Sequence, residues 1–157
     1  MTTDIFNSIG NPNKKLGAIF VDLAQALLFV PHFKLLETLR DEFNITGSLF
    51  KTLCHYFINR TFSIKLENYI SQPYDLLNGV PQGSILSPIL FNCYYNQVFT
   101  SLLGTRYCIF ADDLVFYCEN VCEKTLIVDL ESVLASLDEW CIKSNLKIHF
   151  GKTKLLI

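Results

Sequence analysis

The sequence has no apolar run near the roughly 18 uninterrupted residues that a membrane-spanning helix needs, although half of it is hydrophobic and its mean hydropathy is +0.30. Its longest apolar stretches are broken by Asp22, Gln25 or Pro88. A spanning helix is excluded, and surplus apolar surface without one points to a piece whose natural neighbours are missing. Positive charge is scarce too: 13 Lys and Arg stand against 15 Asp and Glu, for a net charge of −2. Tight binding of a phosphate backbone by this chain alone is therefore not expected, because that affinity comes from lysine and arginine. The six cysteines, at 54, 93, 108, 118, 122 and 141, include no C-x-x-C pair, and no secretory leader precedes them. They read as buried free thiols in a reducing, intracellular compartment. His32, His55 and His149 lack zinc spacing, so no zinc site is expected, and His55 beside Cys54 reads as helix packing. With no repeat, low-complexity tract or linker, 157 residues make one domain able to bury about two-thirds of its unfolded surface.

What is present centres on residues 107–118. Two apolar, aromatic and β-branched runs flank Asp112 and Asp113, the pattern of a short buried hairpin with adjacent carboxylates at its turn. Aspartate is common in turns because it bonds its own backbone. Two like charges among apolar neighbours, however, repel when both ionise, and a divalent cation is the usual relief. Upstream, Gly17-Ala18-Ile19-Phe20-Val21 reads as a central strand with both faces covered, ending at Asp22. If the two strands lie side by side at about 4.8 Å, Asp22 comes within reach of the turn, and oxygen-ligated Mg²⁺ could sit between them. Between these stretches lies Gly79-Val80-Pro81-Gln82-Gly83-Ser84-Ile85-Leu86-Ser87-Pro88-Ile89-Leu90-Phe91-Asn92. Its glycines permit close approach to a ligand, and Ser87-Pro88 reads as an N-cap followed by a first-turn proline.

Val21-Asp22-Leu23, this glycine-bearing string and Phe110-Ala111-Asp112-Asp113, in this order and spacing, resemble the reverse transcriptase domain of non-LTR retrotransposons, most closely the jockey-type insect elements. The resemblance spans about 17–154. It implies an α+β polymerase palm, a split βαβ mixed sheet with helices on one face, in a single partial domain over 1–157 that lacks most of the fingers and thumb. It also implies that Asp22 and Asp112 hold Mg²⁺ or Mn²⁺ with Asp113 in support, while a primer 3′-hydroxyl attacks the α-phosphate of a deoxynucleotide on an RNA template. Gln82 and Gly83 match positions that meet the nucleotide and template, and Lys152 matches a lysine proposed to donate to the pyrophosphate leaving group. Some positions depart from the family: Leu27 stands where an aromatic floors the sugar, and Leu28 where a carboxylate is usual. Asn96-Gln97 replaces asparagine-aspartate, and His149 replaces an asparagine. Two readings follow: an RNA-directed DNA polymerase palm that works when joined to fingers and thumb, or a truncated, non-catalytic relic or interaction module. An RNA-binding module of another kind is disfavoured, since neither a basic stripe nor an aromatic platform can be read.

The remaining elements follow from periodicity. A helix is expected over 2–9, broken by Asn11-Pro12-Asn13. Another runs over 31–43 with Phe33, Leu36, Leu39 and Phe43 on one face, and a third over 47–59 with Phe50, Leu53, Cys54 and Phe57. Residues 61–66 and 69–77 read as a strand and its return, with Arg60 as a solvated helix-end charge. A helix over 87–102 buries Phe91, Tyr94, Tyr95, Val98 and Leu102. A long helix over 123–144 carries Leu126, Leu130, Val133, Leu134, Leu137, Trp140 and Cys141, and a strand closes the chain at 155–157.

Overall fold

A computed structural model describes residues 14–157; the helix and break expected before residue 14 lie outside the described residues. The chain forms two compact units, one from Met1–Ala26 and Asn96–Ile157 and the other from Leu27–Tyr95.

The first unit is built on a sheet of β6 (Arg106–Phe110), β7 (Asp113–Asn120), β1 (Lys15–Asp22) and β8 (Lys154–Leu156), in that spatial order. Every pairing is antiparallel, where a mixed sheet was expected. The tight β6–β7 turn makes that pair antiparallel, whereas the long returns from β1 to β7 and β8 leave the direction to packing. Helix α5 (Glu123–Lys143) packs on β1 and β7 beside a 3₁₀ segment (Asn96–Leu102). Leu126, Leu130, Leu137, Trp140 and Cys141 form the buried stripe of α5, at helical spacing.

Strand alternation divides the sheet cleanly. Residues paired across antiparallel strands share a face, so Gly17, Ile19 and Val21 of β1 lie with Phe116 and Leu114 of β7 toward α5. A Cβ on Gly17 would stand 2.7 Å from Leu130 Cδ1, so helix and strand touch through bare backbone there. Ala18, Phe20 and Asp22 lie on the other face, with Tyr117, Val115 and Asp113. That face carries a small cluster of Ala18, Val115 and Tyr117 with Leu16 and Cys108, and Phe20 is 42% exposed. β1 is thus central but fully covered on one face only, and β6, an edge strand, is mostly exposed rather than buried. The cover lies on one side because α5 and the 3₁₀ segment both pack there.

The second unit holds a single helical turn α1 (Ala26–Phe29, entered from the first unit), α2 (His32–Asp41), α3 (Gly47–Phe57) and α4 (Ser87–Tyr95). Between α3 and α4 runs the expected strand and return, broken into two short ladders. β2 (Thr61–Phe62) pairs with β5 (Tyr74–Asp75), and β3 (Lys65–Leu66) with β4 (Tyr69–Ile70). Ser71 bridges the gap, its N–H donating to Ile64 O and its Oγ accepting from Ile64 N, both at 2.9 Å. The exposed rings of Phe62 and Tyr74 lie 5.7 Å apart across the outer ladder.

The face of α2 differs from expectation. His32, Leu35, Thr38 and Leu39 are buried, while Phe33 is 61% exposed and Phe43 lies beyond the helix. Apolar residues on both sides of this helix admit two stripes, and the one chosen by packing includes two polar residues that hydrophobic periodicity does not count. α3 buries Leu53 and Phe57 as expected, but His55 is exposed and takes no part in packing. The 87–102 stretch buries the expected residues yet changes from α to 3₁₀ at Asn96. Arg60 lies with its guanidinium 5.5 Å from the centre of the Tyr56 ring.

His32 is 8% exposed; its Nε2–H donates to Gly79 O at 2.8 Å, and its ring lies 4.6 Å from that of Phe57. Burial lowers its pKa below 6.5, opposed by the Gly79 bond and aided by the Arg60 charge. The unfolded chain then takes up the proton first, so stability is present above pH 6.5 and is lost as pH falls from there toward the folded value. Urea denaturation at pH 7.5 and 5.5 should show a loss for the parent that is smaller in His32→Gln; equal losses would sink this assignment.

The thiols are less uniformly buried than expected. Cys141 is buried and its pKa is pushed up to about 12, chiefly by desolvation, whereas Cys122 is exposed at the start of α5. Hydrogen bonds from Thr125 and Lys124 and the nearby Lys15 charge lower the Cys122 pKa, favouring the reactive thiolate. Iodoacetamide at neutral pH should therefore modify Cys122 first and Cys141 last, as peptide mapping over time would show; early loss of Cys141 would contradict the packing of α5.

Candidate active site

The β1–β7 ladder runs in register from Lys15↔Asn120 to Asp22↔Asp113. Two carboxylates therefore face each other as a cross-strand pair on the face away from α5. Directly opposed like charges destabilise a sheet, so this pairing asks for a cation. One is at hand: Lys152 Nζ lies 3.8 Å from Asp22 Oδ2. Lys152 sits on a turn tied to the end of β1, since His149 N–H donates to Asp22 O at 2.8 Å. The Lys152 and Thr153 amides close that turn on His149 O at 2.9 and 3.0 Å, and Ala24 N–H donates to Lys147 O alongside it. His149, given no role in the sequence, thus anchors the lysine through its backbone.

Asp112 occupies the hairpin turn after Ala111, whose φ of +54 is the left-handed conformation that turns the chain. It is exposed, as is Asp113, while Asp22 is half-buried. The aspartates thus stand on a solvated rim. Asp22, Asp113 and Lys152 line a concavity of about 440 Å³ whose apolar lining includes Phe20, Cys108, Phe110 and Val115. Asp112 does not line it; the register makes Asp113 the nearer counterpart of Asp22.

The donor set is oxygen only, which suits Mg²⁺ or Mn²⁺. Among the described residues no group of three or more His, Cys, Asp or Glu side chains closes on an ion.

The other expected site residues belong to the second unit. Val80 N–H donates to Leu27 O at 2.9 Å and Gly79 N–H to Val30 O at 2.8 Å, so the loop bearing Gln82 and Gly83 is fastened along α1 and the residues after it. Leu27 is half-buried, Leu28 is 45% exposed, and Gln82 and Gly83 are exposed. Gly79 has φ +91, and a Cβ there would lie 3.0 Å from Leu28 O; Gly83 has φ +82 but open space around it. Ser87 is the first residue of α4, and its hydroxyl donates to Pro81 O, closing the loop onto the helix. His32, which binds Gly79 O, was not legible as part of this arrangement, because a lone histidine before an apolar helix carries no pattern.

An antiparallel sheet covered by helices on one face, with carboxylates from a hairpin and its neighbouring strand on the other, is the plan of a polymerase palm. The chain belongs to the family Reverse transcriptase (RNA-dependent DNA polymerase), which matches residues 2–157. It is 30% identical over 148 residues to the probable RNA-directed DNA polymerase from transposon BS of Drosophila melanogaster, aligning over 87% of this chain and 16% of that protein. It is 29% identical over 143 residues to the RNA-directed DNA polymerase from mobile element jockey of Drosophila funebris, covering 87% of this chain and 15% of that protein. The chain is thus similar to the reverse transcriptase domain of jockey-like non-LTR retrotransposons and spans about a sixth of such proteins. Among solved structures, telomerase from Candida tropicalis in complex with the TWJ fragment of telomeric RNA superposes with a TM-score of 0.71 at 18% identity, over 99% of this chain and 28% of that one. Telomerase from Candida albicans, in complex with the same kind of fragment, gives 0.63 at 12% identity, over 100% and 31%. These two likenesses speak to the fold, an α+β palm.

The two glycines separate steric crowding from backbone strain. Gly79→Ala should destabilise the chain by about 2–3 kcal/mol and Gly83→Ala by about 1 kcal/mol, as read by urea denaturation. Equal losses would mean that Gly79 is not pressed against Leu28.

Proposed function

We propose that this domain carries out RNA-templated addition of deoxynucleotides to a primer 3′-hydroxyl, as part of a longer polymerase. The observation that carries the reading is the cross-strand pairing of Asp22 with Asp113, next to the turn residue Asp112 and with Lys152 held 3.8 Å from Asp22. Asp22, Asp112 and Asp113 are the residues that would hold Mg²⁺ or Mn²⁺, and such ions would lower the cost of developing negative charge at the attacking and leaving oxygens. Lys152, 3.8 Å from Asp22 at the rim of the concavity, would hold a proton for the pyrophosphate leaving group. Gln82 and Gly83 present an exposed turn to the nucleotide and template strand, and Leu27 supplies an apolar surface where the sugar rests. Leucine offers no flat aromatic face, so discrimination against the 2′-hydroxyl is weaker than an aromatic would give. RNA template, DNA primer and deoxynucleotide are the partners of this reading, with further segments of the polymerase supplying the basic grip that a chain of net charge −2 does not.

Primer extension on an RNA template, using the chain joined to fingers and thumb of a related element, tests this. Extension should need Mg²⁺ or Mn²⁺ and fall at least about 10³-fold in Asp22→Ala, Asp112→Ala and Asp113→Ala. Lys152→Ala should slow it about 10–100-fold. Extension that survives loss of the aspartates would exclude this site. A folded graft that is inactive until Phe and Asp replace Leu27 and Leu28 would mark the chain as a non-catalytic relic.

A further inference from the structure

Gln82 and Gly83 can meet a nucleotide only if the loop that carries them keeps one conformation, and a glycine at φ +91 does not select one by itself. The far end of the loop is held by Ser84, whose amide donates to Pro81 O at 3.2 Å and whose Oγ accepts from Tyr56 at 2.7 Å. The near end runs beside residues 27–32 as a short zipper. Val80 N–H reaches Leu27 O, Gly79 N–H reaches Val30 O, and His32 N–H reaches Leu77 O at 3.1 Å, with Pro31 bridged to Asn78. One side chain closes this zipper onto α2. His32 Nε2–H donates to Gly79 O from a site 8% exposed, and its ring is kept in place by Phe57.

An apolar side chain of similar size would also cover Phe57, so packing alone gives no reason for an imidazole there. The imidazole's donor does: a buried carbonyl left without one carries a desolvation penalty, and this carbonyl belongs to the peptide that joins flexible Gly79 to Val80. Val80 N–H holds one side of that peptide to Leu27 O, and the His32 bond holds the other, so together they set its direction and, through Pro81, where Gln82 and Gly83 lie. We propose that His32 is a positioning residue, whose Nε2–H bond to Gly79 O holds the nucleotide-facing loop in its binding conformation. The role rests on the reading of Gln82 and Gly83 given above, and it is distinct from catalysis, since His32 is in the second unit's core and touches no reacting group.

Two variants separate the bond from the packing. His32→Phe keeps a ring against Phe57 without a donor, and His32→Gln places an amide N–H at a similar reach. Hydrogen exchange on the chain should quicken about tenfold or more at Gly79 and Val80 in the phenylalanine variant. It should return close to the parent in the glutamine variant, with the amides of α5 unchanged in both. In the extension assay, the deoxynucleotide KM should rise about tenfold in His32→Phe while kcat moves less than twofold, and glutamine should recover most of the loss. Unchanged loop exchange in His32→Phe overturns the proposal. So does an equal effect of both variants, which would make His32 a plain core residue. Exchange that responds while KM does not would leave the positioning role standing and instead refute the nucleotide contact of Gln82 and Gly83. If the parent itself fails to extend, the exchange comparison alone decides for or against His32.

Discussion

Eight consecutive residues of β1 pair with eight of β7, and the first unit's chemistry depends on where that ladder ends. Because side chains alternate between faces, one register fixes three things together: the apolar contact with α5, the small cluster on the open face, and the meeting of Asp22 with Asp113. The energy that holds the register lies in the buried pairs, Ile19 with Phe116 and Val21 with Leu114, each worth about 2–3 kcal/mol of burial per side chain. The carboxylates at its end contribute repulsion. Stability is generated along the strand and spent at its tip, which is how a hydrophobic sheet can hold like charges together.

The second unit solves a different problem with backbone bonds. Its loop buries little apolar material of its own beyond Val80, which is 2% exposed while Ile85 and Leu86 face solvent. Order is imposed by the zipper to residues 27–32, by Ser87 on Pro81 and by Tyr56 on Ser84. Loops fastened in this way keep exposed tips in defined places, which a purely hydrophobic anchor cannot do because it has no direction.

Patterns that obey a single period were legible in the sequence. The run 17–21, the two halves of the 107–118 hairpin and the helix over 123–144 form the elements expected of them, although β1 is fully covered on one face only, β6 is mostly exposed, and Val133 and Leu134 stay half-buried. Adjacency of Asp22 to the hairpin was also legible, but which aspartate opposes it was not: that depends on a one-residue choice of register made by packing. The face of α2 was misread because apolar residues lie on both sides of it, and His32 and Thr38 are polar residues in a core. The antiparallel order of the sheet was hidden because returns of this length can join strands either way. The change from α to 3₁₀ at Asn96 left no trace, since both forms bury Tyr94, Tyr95, Val98 and Leu102. The thiols and His55 show that a residue's usual burial says little about its place in a particular element.

Gly17 lies five residues before Asp22 and is pressed against Leu130. It acts as a notch in the strand: slide β1 by one residue in either direction and a side chain, Leu16 or Ala18, must occupy space already filled by α5. The position of a carboxylate at the surface is thereby keyed to a missing methyl group in the interior. An insertion or deletion between these two residues would leave the helix seated and the sheet intact, yet would turn the aspartate away from its partner, so the length of this stretch is constrained more tightly than the identity of the residues within it.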